Sequence, residues 1–321
     1  MAEAGWSSSF SPFHPGEIAA QERFGMRERM EEHGKRVIRD YLNEQHRQFY
    51  HQLPFLITGT VDAQGQPWAS ILTSNPGFLS TPNERTLRVA ASPLPGDPIR
   101  NNLEEGAPIG LLGIELHTRR RNRMNGTIIA PNTESFDVQV GQSFGNCPKY
   151  IQARDYEPIE RSTPVKMQRL SQLDTAAHQL ISSADTFFIA SAYLDESAGL
   201  ANGVDVSHRG GKPGFVRIDN ANMLTVPDFS GNLHFNTVGN LMLNPKAGLL
   251  FVDFERGDLL YLSSEAEVIW EGEEVKVFDG AERLLRFHMK EGIYVEGSLP
   301  LHWSSPEISP FLASTGSWET A

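Results

Sequence analysis

The chain has 321 residues, 39% of them hydrophobic and 21% charged, which suits two globular domains, each large enough to bury its own core. A formal net charge of −12 excludes a general nucleic-acid binder, which needs a basic surface to displace counterions from phosphates. The single cysteine, Cys147, excludes an intramolecular disulfide framework and fits a reducing, cytoplasmic setting. No apolar run reaches the ~18 residues of a membrane span, and the N-terminus lacks a basic-then-apolar signal pattern.

Residues 1–52 read as an N-terminal helical arm. Its first stretch, MAEAGWSSSFSPFHPGE, is expected to be mobile unless Phe10, Phe13 and His14 pack across a domain or subunit boundary. A polar helix follows over residues 16–39, interrupted near Gly25 and Gly34, with a second short helix at Glu44–His51. From Phe55 the texture changes to short β-rich runs: LITGTV, PWASIL, TLRVAA and IGLLGIE. Turn chemistry separates them at residues 64–67, 80–85 and 93–98. Residues 99–105 suit about two helical turns, and MNGTII reads as a later strand. This first unit, with a bridge over residues 141–156, spans 53–156.

The second unit spans 157–321 and opens on a linker, 157–164. A stripe of Leu170, Leu173, Ala177, Leu180 and Ile181 predicts a helix over 166–183 that leads into a second set of strands. Residues 265–270 close that set, a short helix is expected near 279–286 and a last strand at 293–296. The tail after Trp303 reads as extended surface chain.

The two strand-rich units repeat one another. PFLITGTV, QPWASILTSNPGF and NNLEEGAPIGLLGIE match TFFIASAY, GVDVSHRGGKPGF and GNLMLNPKAGLLFVD, with Ser70, Gly77 and Gly110 answering Ser207, Gly214 and Gly248. Offsets of 137 to 138 residues are far longer than the roughly 20–50 residues of solenoid repeats, so the pattern is that of a duplicated domain. The groove between two such units is the expected ligand site.

The richer polar chemistry lies in the second copy. In residues 203–215, strand alternation puts Asp205 and Ser207 on one face and Val206 and His208 on the other. Arg209 offers a fork for a phosphate or carbonyl, and the following glycines allow close backbone approach. In LHFNTVGNLMLNP, Asn236 and Thr237 suit helix N-cap positions, where free amides attract anions, and Asn240 adds a donor. The basic run from Arg119 to Arg123 places Arg119, Arg121 and Arg123 on one face if extended. It reads as a charge-defended edge strand or as a rim that attracts an anionic ligand. Cys147 has no acid–base partner at catalytic spacing and reads as a buried small residue. No HExxH, CxxC, P-loop or strand-associated GxGxxG occurs, so neither a metal site nor a Rossmann site is expected.

DVSHRGGKPGF, residues 235–260, RRRNRMNG and SFGNCPKYIQ together resemble the pyridoxamine 5′-phosphate oxidase-like, FMN-binding split-barrel superfamily, specifically its tandem members. The resemblance covers roughly residues 13–303. It implies a mainly β, α+β chain of two tandem antiparallel split barrels with flanking helices, a homodimer, and FMN between barrels. It implies Ser207, His208 and Arg209 lining the flavin or its phosphate, with Asn236, Thr237 and Asn240 on phosphate or ribityl oxygens. The matching first-copy positions are Ser70, Ile71 and Leu72, with Asn101 and Asn102 at the junction. The second copy is therefore expected to hold the flavin and the first to supply a wall. The junction lacks the Ser-Arg-Lys cations of the oxidase proper, which argues against pyridoxamine phosphate as substrate. The implied function is an FMN-dependent oxidoreductase acting on a small organic substrate, with a nicotinamide electron donor and no assignable catalytic side chain. The alternative is a non-catalytic flavin-, deazaflavin- or haem-binding protein.

Overall fold

The computed structural model describes residues 5–161 and 165–318; residues 1–4 of the expected arm, 162–164 of the expected linker and 319–321 of the tail lie outside it. The arm forms α1 (Pro15–Arg23), α2 (Arg27–Val37) and α3 (Glu44–His51). Helix α1 starts where Pro15 fixes the first φ and His14 and Glu17 cap each other's backbone amides in a capping box. It ends before Gly25, whose φ of 64° no helix accepts. The expected second break is absent. Helix α2 runs through Gly34, where a Cβ would lie 2.5 Å from the Phe13 ring, so this glycine serves packing and not termination.

The first sheet contains β1 (Phe55–Val61), β2 (Pro67–Thr73), β3 (Leu79–Asn83), β4 (Thr86–Val89), β5 (Pro108–Glu115), β6 (Arg120–Ile129) and β7 (Phe136–Gly145). Its antiparallel order is β2-β1-β5-β6-β7-β4-β3. After β8 (Tyr156–Pro158) and β9 (Lys166–Leu170) comes α4 (Thr175–Ser183), and then the second sheet. That sheet contains β10 (Thr186–Tyr193), β11 (Gly203–Gly210), β12 (Arg217–Asn220), β13 (Met223–Phe229), β14 (Lys246–Val252), β15 (Leu259–Ile269) and β16 (Ala281–Glu296). Helix α5 (Asn236–Leu243) sits between β13 and β14, and α6 (Glu273–Lys276) between β15 and β16. The order β11-β10-β14-β15-β16-β13-β12 is the first sheet's order strand for strand. Both sheets stay open at their ends, so the fold is mainly antiparallel α+β with no ladder closing a barrel among the described residues. Among the described residues no helix is long and apolar enough to cross a membrane.

Several expected helices are strands or shorter turns. Lys166–Leu170 pairs with the far end of β16 instead of extending α4. The segment expected to be helical near residue 280 begins β16, because Arg283 to Arg286 pair with β13 and Leu284 to Arg286 also with β15. Residues 99–105 supply one 3-10 turn, Pro98–Asn101. The C-terminal tail is not loose surface chain: β17 (Leu301–Trp303) pairs with β8, Leu312 is fully buried and Trp318 Nε1 donates to the Phe215 carbonyl at 2.9 Å.

The sheets face each other within the one chain. One apolar core lies inside the first sheet around Leu56, Leu87 and Met124, and another inside the second around Phe187, Leu249 and Phe287. A third, with Ile57, Ile71, Leu112, Phe188, Val206 and Leu250, lies between the two. The contact has an approximate two-fold symmetry, and three positions require it to be close. A Cβ on Gly110 would lie 2.4 Å from the Val204 carbonyl oxygen, and one on Gly248, its repeat partner, 2.3 Å from that of Pro67. A Cβ on Gly59 would lie 3.2 Å from that of Ala190, its own equivalent. The two strand surfaces can approach this far only because those side chains are missing.

Candidate functional site

A cleft opens along this joint, with about 840 Å³ of space counting its open mouth. The first half lends Arg121 and Arg123 from β6 and Asn146, Lys149 and Tyr150 from the chain after β7. The second half lends Ser207 to Gly210 from β11, Asp228 from β13, the loop over residues 230–235, the first turn of α5, and Arg283 from β16. The loop is tied across the rim: Tyr150 Oη donates to the Ser230 carbonyl at 3.1 Å and Asn232 Nδ2 to Asn146 Oδ1 at 3.1 Å.

The basic run is not an edge strand. Strand β6 lies inside its sheet between β5 and β7; Arg121 and Arg123 line the cleft and Arg123 reaches the other half, whereas Arg119, expected on the same face, precedes the strand with φ 55° and pairs with Glu307. Arg123 Nη1 donates to Asp205 Oδ1 at 3.0 Å and its Nη2 to Ser207 Oγ. Asn125 and Asn240 also donate to the Asp205 carboxylate, at 2.7 and 2.8 Å, and Thr237 Oγ1 donates to Ser207 Oγ at 2.9 Å. Arg123, Ser207 and Thr237 of this network line the cleft, and Asp205, Asn125 and Asn240 hold them from outside the lining. Arg121 differs: among the described residues its Nε and Nη2 donate to the carbonyls of Cys147 and Lys149, at 2.7 and 2.8 Å, and no carboxylate pairs with it. Burial, with Arg123 and Arg209 nearby, lowers its pKa to about 9. Arg209 Nε lies 3.1 Å from Asp228 Oδ1, and Arg283 Nε 3.4 Å from Asp228 Oδ2, so two guanidiniums share one carboxylate. In a chain of net charge −12, the lining carries five cationic side chains against two carboxylates.

Of the residues expected from sequence, Ser207, His208, Arg209, Asn236 and Thr237 all line this one cleft. Their roles within the fold differ. His208 lies on the face of β11 opposite Ser207, edge-on to Phe188 at 5.8 Å. Burial first, then Arg121 and Arg209, hold it neutral. Asn236 and Thr237 are not N-caps: Phe235 holds that position with φ 63°, and they form the first helical turn. That turn has no side-chain cap, so its first amides remain available on the cleft side. Asn240 is 1% exposed and lies outside the lining. It donates to Ser191 Oγ at 3.1 Å, and its repeat partner Asn102 donates to Thr60 Oγ1 at 3.0 Å, which is the same strand-to-turn brace in both halves. Sequence reasoning did not single out Arg283, or Glu17, which accepts from Asn236 Nδ2. Arg283 was hidden in a segment read as helix, and Glu17 stands 219 positions from its partner. Cys147 is partly buried, at the cleft's edge only through its carbonyl bond to Arg121.

Fold and site together define an antiparallel α+β protein with a basic cleft between two like sheets. No protein-family model matches the sequence, and no curated protein is matched by it. Solved structures similar to part of it include pyridoxamine 5′-phosphate oxidase-like and flavin-binding split-barrel proteins, each overlying about two-fifths of the chain. One is a putative pyridoxamine 5′-phosphate oxidase from Lactobacillus delbrueckii, 13% identical over 38% of this chain and 94% of that one, TM-score 0.29. Another is a FAD-binding protein from Mesorhizobium loti, 10% identical over 40% and 97%, TM-score 0.28. A third is HupZ from Group A Streptococcus, 17% identical over 36% and 89%, TM-score 0.28.

Proposed function

We propose that the cleft binds a phosphorylated planar cofactor, FMN, and that the chain is a tandem split-barrel flavoprotein acting as an oxidoreductase on a small organic substrate. The observation that carries the reading is the surplus of cations in the cleft. Among the described residues Arg121 has no carboxylate partner, and Arg209 shares Asp228 with Arg283, which also pairs with Glu282, so a phosphate dianion would relieve the repulsion between Arg121 and Arg209. Arg121, Lys149 and Arg209 would hold the phosphate with the amides at the start of α5. Tyr150, Phe229, Leu233 and Phe235 in the same lining offer apolar surface for a ring system. Bound FMN would supply the electron or hydride chemistry, and the side chains would orient it and exclude water from one face. No lining residue needs to act as acid or base for that role.

The test is absorbance of the purified chain, followed by FMN titration read by quenching of its fluorescence. Charge-assisted contacts of about 1.5–3 kcal/mol predict roughly ten- to hundredfold weaker binding for Arg121→Ala and for Arg209→Ala. Unchanged binding in both variants overturns the site, and a Soret band in place of flavin absorbance overturns the cofactor. Bleaching of the bound flavin by reduced nicotinamide supports an oxidoreductase; a flavin that no donor reduces leaves a binding protein.

A further inference from the structure

The N-terminal arm reaches the back of the cleft. Helix α1 crosses α5 so closely that a Cβ on Gly16 would lie 2.1 Å from the Gly239 carbonyl oxygen, and one on Gly239 2.5 Å from the Glu17 amide nitrogen. At this crossing Glu17 is only 3% exposed. Its Oε2 accepts from the His14 amide at 2.9 Å, and its Oε1 accepts from Asn236 Nδ2. Asn236 is the first residue of α5 and lines the cleft. His14, at the start of the same helix, stacks on Tyr193 of β10 with ring centroids 4.7 Å apart. The charged groups facing Glu17 are Arg123 of β6, which lines the cleft, and Asp205 of β11, with which Arg123 pairs. Burial and then Asp205 raise its pKa well above the usual carboxylate value. A fully buried carboxyl is costly to place unless its hydrogen bonds hold something.

We infer that Glu17 is a positioning residue for the cleft: through its bond to Asn236 it sets the first turn of α5, and so the amides that face the ligand. The arm is thereby part of the binding site although it belongs to neither repeat. This rests on the ligand reading above.

The experiment is FMN titration of the full chain and of Glu17→Ala, Asn236→Ala and the double variant, each first shown folded by its thermal transition. The wild-type chain binds FMN, Glu17→Ala and Asn236→Ala each weaken it about tenfold, and the double variant is no weaker than Asn236→Ala alone, because one residue acts through the other. Glu17→Gln, which keeps an acceptor for Asn236, binds within about threefold of wild type. If Glu17→Ala does not fold, Glu17→Met keeps the bulk without the acceptor and is expected to show the same loss. Additive losses in the double variant, or unchanged affinity in both acceptor-free variants, overturn the inference while leaving the ligand reading standing. Absence of FMN binding by the wild-type chain overturns both.

Discussion

Burial holds four histidines in their neutral form, and this makes the fold acid-sensitive. His14 and His46 fall to about 4 and His234 to about 3 from an ordinary 6.5, with His208 well below 6.5, desolvation being the largest cause in each. A histidine lowered in the fold takes up its proton first in the unfolded chain, so its stabilisation is lost as pH falls below 6.5. Two carboxyls work the other way: burial raises Asp97 to about 6 and raises Glu17, and both favour the fold as pH falls. His33, lowered first by its partial burial, joins the four, so five groups against two leave a net loss, at about 1.4 kcal/mol per pH unit for each unbalanced proton. The melting temperature is expected to drop steadily from pH 6.5 to 4.5, and His46→Gln, remote from the cleft on α3, to flatten that slope. An identical slope in the variant would refute the assignment. Single residues were unevenly legible in the sequence. The shared face of Asp205 and Ser207, and that of Arg121 and Arg123, follow from strand alternation because alternation is local, whereas Arg119 falls before the strand and leaves that face. Glu17 and Arg283 needed the tertiary fold, since no local pattern links them to residues on other elements.

At the scale of elements, the crossing of α1 and α5 sets two expectations against each other. Replacing a mid-helix glycine by alanine normally stabilises a helix by about 1 kcal/mol. At Gly16 and Gly239 the added methyl meets backbone of the opposing helix, which cannot rotate away. Overpacking of this kind costs about 1–3 kcal/mol, so the contact wins. Both Gly16→Ala and Gly239→Ala are expected to lower the denaturant midpoint. Gly231→Ala, with nothing within 4 Å, should leave it within about 0.5 kcal/mol. A midpoint raised at Gly16 or Gly239 would show that the helices are farther apart. Elements were legible where pattern and pairing agree. The stripe from Leu173 to Ile181 gave α4, yet Leu170 at the same spacing belongs to β9, because a free edge of β16 was there to pair with it. The start of β16 was misread for the same reason: which partner strands flank a segment is not written in that segment.

Across the whole molecule the duplication was visible from offsets alone, but its consequence was not. Register equates Arg123 with Tyr261, Arg121 with Leu259 and Arg209 with Leu72, since Leu112 pairs with Arg123 as Leu250 pairs with Tyr261. All three first-half-cleft equivalents are fully buried, and Tyr261 Oη donates to Asp97 Oδ2 at 3.1 Å where the other cleft has its arginines. An apolar plug whose one polar contact is a tyrosine bonded to a buried carboxyl cannot hold a phosphate, so the pseudo-symmetric twin is part of the joint between sheets. The intact cleft in turn takes both its walls from one chain, so a second copy is not needed to complete it, although the sequence resemblance implies a homodimer. Titration at concentrations well above the dissociation constant is therefore expected to saturate at one FMN per chain, with an affinity independent of protein concentration across a hundredfold dilution. Two equivalents would mean that the twin still opens. Half an equivalent, or affinity lost on dilution, would place a second chain in the wall.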